Sequence, residues 1–107
     1  MIQIVEKIFV KNADVDAADW CQLPIVPATA TIETQVSKDD AGWLSTRELK
    51  AILMPTHPFL FRNHIVRVAF DDGETLTIGS KDIPVHISVR HTNAIEISFE
   101  YKSRGNI

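Results

Sequence analysis

Asp14, Asp16 and Asp19 place three carboxylates close together, a spacing that could bring several hard oxygens onto one calcium ion. A calcium loop of that type also needs a glycine at its sharp turn and a closing bidentate glutamate. Residues 11–24 supply neither, so the segment reads as a solvated acidic loop. The histidines are His57, His64, His86 and His91. No two of them form a short helical ligand pair, and Cys21 lies far from all four, so no zinc spacing exists. No serine sits in a G-x-S-x-G elbow and no glycine-rich phosphate loop is present. Asp71 and Asp72 are adjacent carboxylates, but they precede Gly73 in a turn, where exposure keeps a carboxyl group from being tuned by burial. An enzyme would need His64 or His86 beside a buried carboxylate in a concave pocket. The expectation is a protein without catalytic residues, bound metal or cofactor.

The side chains that invite a functional reading are suited to contact rather than chemistry. Trp20 and Trp43 lie in the connectors on either side of the strand at residues 28–37. Tryptophans so placed are core plugs or interface anchors. His86 and Arg90 share the outer face of one strand with Ser88 and could line a polar surface or an assembly interface. Trp20, Trp43, His86 and Arg90 are therefore the candidate interface residues. A basic stripe built from Arg62, Arg67, Arg90, Arg104, Lys81 and Lys102 would be interrupted by Glu96 and Glu100 on the outer face of the last strand.

Elements that could hold these residues follow from hydrophobic periodicity. Residues 2–10 form a strand with Ile2, Ile4, Ile8 and Val10 on one face, interrupted by Glu6, and with Val5 and Phe9 on the other. Residues 11–24 are a loop with one helical turn around Ala17–Cys21, and Pro24 and Pro27 bracket an extended connector. Residues 28–37 alternate Ala28, Ala30, Ile32, Thr34 and Val36 against polar neighbours, which marks a half-buried antiparallel strand. Lys38–Gly42 is a turn. Ser45 and Glu48 match a capping box, and Leu49, Ile52 and Leu53 follow at helical spacing until Pro55, which predicts one short helix. The rest is strand. Residues 60–70 carry Val66, Val68 and Phe70 inward, and Asp72-Gly73 turns the chain into Glu74–Ile78. After a connector at Gly79–Pro84, Val85, Ile87 and Val89 face in. A turn at His91-Thr92-Asn93 leads to Ile95, Ile97, Phe99 and Tyr101, and the tail Lys102–Ile107 frays.

The expected fold is mainly β (α+β). It is a single domain spanning 1–107, an antiparallel six-stranded small barrel or two-sheet sandwich with one short helix, in the order β-β-α-β-β-β-β. The last strands lie too close in sequence for parallel crossovers.

Bulk properties agree with one globular domain. The 107 residues are 45% hydrophobic and 23% charged, enough to form a core without metal or disulfide support. A net charge of -3 makes nucleic acid an unlikely partner. One cysteine removes any internal disulfide, and Cys21 is expected to be a buried structural thiol. No signal peptide and no membrane-spanning run is seen, so the expectation is synthesis in the cytoplasm and no membrane partner.

The runs IVRVAFDDGETLTIGSKDIPVHISV and NAIEISFEYKS, within residues 65–103, combine a strand, the Asp72-Gly73 hairpin, a strand ending in Ile78-Gly79, a link to Pro84 and a closing strand pair. In this the chain resembles short structural proteins encoded in the tail and head-tail connector modules of bacteriophages and prophages. The resemblance implies a virion or tail-assembly component that binds copies of itself or neighbouring virion proteins, with no catalytic residues to carry over. Exposed strand edges that a ring or stack could satisfy favour a homo-oligomer. The rival expectation is a small β-barrel binding module for an oligosaccharide or single-stranded nucleic acid, which would need aromatic side chains on an outer strand face.

Overall fold

A computed structural model describes residues 2–16, 19–54 and 63–104. These form eight strands: β1 (Ile2–Asn12), β2 (Cys21–Gln22), β3 (Thr31–Asp39), β4 (Gly42–Leu53), β5 (His64–Phe70), β6 (Thr75–Ile78), β7 (Ser88–His91) and β8 (Ile95–Arg104). Every pairing is antiparallel. The strands make one curled sheet, a half-barrel, in the order β6-β5-β1-β3-β4-β8-β7, with β2 added beside β1. The described residues contain no helix.

The expected helix is the central correction. Residues 42–53 form β4, paired with β3 along one side and β8 along the other. Leu49 and Leu53 satisfy both a helical and an alternating pattern. Ala51 decides between them, because Ser45, Leu49, Ala51 and Leu53 are all buried while Lys50 is exposed and Ile52 only half-buried. A helix of that length is marginal alone, whereas a strand between two long partners satisfies its backbone groups on both sides. The Ser45–Glu48 match to a capping box is coincidental. Ser45 points into the interior, and Glu48 stands on the outer face opposite Glu33 and Glu100.

Strand number and order change with it, from six with a helix to eight without. The strand expected at 28–37 begins at Thr31, because residues 26–29 are a turn held by Thr29 N donating to Val26 O at 3.3 Å. The last strand runs on through Lys102 to Arg104 rather than fraying. Pro55, His57 and Arg62 lie outside the described residues, as do Ala17 and Ala18 of the expected helical turn and residues 60–62 of the expected strand.

β1 turns the corner of the sheet. Its register against β5 shifts between Val5 and Lys7, which makes Glu6 the extra residue of a bulge. The bulge reverses which parity faces in. Val5, Ile8 and Val10 are buried, while Ile2 and Ile4, expected on the same face as Ile8, are 66% and 62% exposed. The first part of β1 pairs with β3, and the later part with β2. The core joins Val5, Ile8 and Val10 to Ile32, Leu49, Leu53, Val66, Val68, Ile78, Ile97 and Phe99.

The two outer flanks of the sheet are tied by a short piece of chain. Val85 pairs with His64 on the flank of β5 that β6 occupies further along, and Ser88 begins β7 on β8. Three residues span at most about 11 Å, so the sheet curls until its edges nearly meet.

Candidate interaction surfaces

The inward alternation of β3 and β4 outlasts the core. The two strands continue as a hairpin arm, closed by Asp40-Ala41, with Gly42 at φ 109° and the Asp39 carboxylate accepting the Ala41 amide at 2.9 Å. Register pairs Lys38 with Trp43 and Val36 with Ser45 on the face that buries Ile32 and Leu49 further down. At the arm's end that face has nothing described over it. Val36 and Trp43 are each 49% exposed, and the Lys38 ammonium sits 5.6 Å from the Trp43 ring centroid. Pairing with β8 reaches only Leu44, so Trp43 stands beyond it.

At the other end of β4 lies an apolar groove of about 520 Å³. The exposed side chains of Ile4 and Met54 line it with Pro24 and Pro27, and Glu6 and Asp71 add carboxylates. The connector that forms its floor is strapped to β4 by Val26 N donating to Ile52 O and Met54 N donating to Pro24 O, each at 2.8 Å.

The outer face of β1 and β5 carries a cationic aromatic patch. Phe9 lies opposite Arg67, and Arg67 opposite Thr77. The Arg67 guanidinium stacks 4.4 Å from the Trp20 ring centroid, and Lys11 approaches the same ring at 5.7 Å. Beside the patch, Asp16 forms an ion pair with Lys81. The hydrogen bond and charge of Lys81 hold the Asp16 carboxyl below its usual range, and the same hydrogen bond with the Asp16 charge raises the Lys81 ammonium above its own.

The outer face of β3, β4 and β8 is acidic. Glu33, Glu48 and Glu100 stand in one row across the three strands. Directly opposed like charges are unfavourable, and lysines one step along the strands offset them: Lys50 lies 3.0 Å from Glu48 and Lys102 3.3 Å from Glu100. Glu48 raises the Lys50 ammonium above its usual range, through a hydrogen bond and its charge.

The four candidate residues from the sequence do not converge. Trp20 covers the β1–β5 face, Trp43 stands at the arm's end, Arg90 pairs across from Glu96 at one sheet edge, and His86 is exposed in the segment before β7. Neither tryptophan is a core plug. Cys21 is exposed rather than buried, because β2 is a two-residue strand at the edge beside β1 with no described residue covering it. The acidic loop does not gather: Asp14 accepts from Asn63 Nδ2, with both oxygens at 3.1 Å, while Asp16 turns to Lys81. Among the described residues no group of three metal-ligating side chains forms, and no helix is long and apolar enough to cross a membrane. Phe9, Lys11, Ile4 and Met54 were not singled out by sequence pattern. The interruption at Glu6 was the available signal, since a bulge there moves Ile4 out to solvent. No protein-family model, curated protein or solved structure matches this chain.

Proposed function

We propose that this is a non-enzymatic structural protein that works by self-association, as a prophage-encoded virion or tail component made in the cytoplasm. The observation that carries the reading is the placement of exposed apolar side chains. Val36 and Trp43 lie together at one end of β4, and Ile4 and Met54 together at the other, while Ile2, Val15 and Ile83 are exposed outside these two groups. Among the described residues β6 and β7 end the strand order, and a neighbouring copy or another virion protein could pair with either. Molar mass by light scattering across a concentration series tests it. Mass should climb above the 12.0 kDa of one chain as concentration rises. A constant monomer mass would remove the reading.

A second reading is a binding module for an oligosaccharide or single-stranded nucleic acid. Phe9 and Trp20 beside Lys11 and Arg67 supply the outer-face aromatics such a module needs. The net charge of -3 and the nearby Asp16 favour the sugar over the nucleic acid. Titrating a Trp43→Phe variant with glycans and a single-stranded oligonucleotide, while following Trp20 fluorescence, tests this reading. A flat response to every ligand removes it.

A further inference from the structure

We infer that the β3–β4 arm of one copy docks its Trp43 face into the groove lined by Ile4, Pro24 and Met54 on a second copy. The inference rests on the self-association reading above and names the two surfaces involved. Three observations lead to it.

The first is position. Trp43 follows Gly42 at the start of β4, and Met54 directly follows Leu53 at its end. A strand of that length spans roughly 36 Å at about 3.3 Å per residue. The molecule is 44 Å along its longest axis, so the arm tip and the groove occupy opposite ends and cannot meet within one copy. The second is fit. The arm end presents a half-exposed indole beside Val36, and the groove's 520 Å³ is larger than an indole side chain and lined by apolar groups. The third is charge. The cation on the Trp43 face is Lys38, while the groove carries the Glu6 and Asp71 carboxylates against Lys7. Asp39, on the opposite face of the arm and accepting from its own loop amide, and the exposed Asp40 in the turn add carboxylates at the arm's end, so the complementarity lies in the Lys38 face alone.

A contact between two different surfaces of one chain is heterologous. It propagates into a ring if the rotation closes, or into a stack if it does not. This joins the exposed arm and the exposed groove into one relationship, and it needs no change in the fold.

The test uses the full chain and two kinds of variant, Trp43→Ala on the arm and Ile4→Glu in the groove, with Met54→Glu as a second groove variant. All three sites are exposed, so folding should be retained and is checked by circular dichroism. Each variant alone should associate roughly tenfold more weakly or worse, as expected for loss of an aromatic anchor or charge burial in its pocket. Mixing the arm variant with a groove variant should restore a 1:1 pair and no larger species, because each mixture keeps one intact arm and one intact groove. If the wild-type chain associates and the variants do so equally well, the docking inference falls and self-association stands. Variants that weaken association but never pair when mixed would also overturn it. A wild-type chain that stays monomeric removes both.

Discussion

His64 and Val85 exchange both backbone hydrogen bonds, His64 N to Val85 O at 2.9 Å and Val85 N to His64 O at 2.8 Å. The buried His64 imidazole adds a contact of its Nδ1 to the Val85 carbonyl at 3.3 Å. This pair lies where the chain crosses from one edge of the sheet to the other. Burial lowers the His64 pKa below 6.5; the Val85 carbonyl opposes the shift, and the charge of nearby His86 adds to it. The unfolded chain therefore takes up a proton near pH 6.5 that the folded chain takes up only at lower pH. Stability from this group is complete above that value and is lost as pH falls through the window below it, at no more than about 1.4 kcal/mol per pH unit. Urea unfolding between pH 7.5 and 5 should show this loss, and His64→Gln should flatten it. Equal pH dependence in both proteins would exclude His64 as its source.

Gly79 adopts φ 87°, and a Cβ there would come 2.9 Å from Val85 Cγ2. Gly79→Ala should destabilise the protein by about 2 kcal/mol or more, from left-handed strain and crowding together. The midpoint of urea unfolding measures it, and an unchanged midpoint would show that the segment before β7 relaxes freely.

Ala28 holds φ 65° in the Val26–Thr29 turn, where Thr29 Oγ1 also donates to Val26 O at 2.7 Å. Proline followed by a positive φ is the type II pattern, which favours glycine at the second central position. Ala28→Gly should stabilise the fold by about 0.5–1 kcal/mol, because relief of the left-handed conformation outweighs the added chain entropy. Thermal melting should rise by a few degrees, and a fall would contradict the strain argument.

Ala51 and Ile52 separate the strand from the helix that the same residues could form. Ala51 is 4% exposed and faces the core, while Ile52 is half-buried on the outer face. Ala51→Asp should cost more than about 3 kcal/mol by burying an unpaired charge, and Ile52→Thr less than about 1.5 kcal/mol. Chemical unfolding of the two variants gives the comparison. The reverse ranking would place residue 52 inside.

Much of the strand half was legible because period-two burial is a local property. Val66 opposite Ile78, Val68 opposite Leu76, and Ile97 and Phe99 in the last strand face inward as their alternation requires. The Asp72-Gly73 hairpin follows from turn chemistry, with Gly73 at φ 88°. The stretch from Ser45 to Leu53 was not legible, because its leucines fit either period and the choice depended on β3 and β8 arriving on both flanks. The exposure of Ile4 was hidden for a related reason. A bulge is a mismatch between two strands, and a single strand's sequence shows only that Glu6 breaks the pattern.

Neighbours a few residues apart were enough to specify an antiparallel strand-rich chain, its Asp72-Gly73 hairpin, its closing strand and their inward faces. That β1 turns a corner, that β4 is a strand, and that Trp43 and the Ile4–Met54 groove stand at opposite ends came only with the assembled sheet. Those features arise from contacts between segments far apart in the chain, whose register and curl are set by which partner each strand finds.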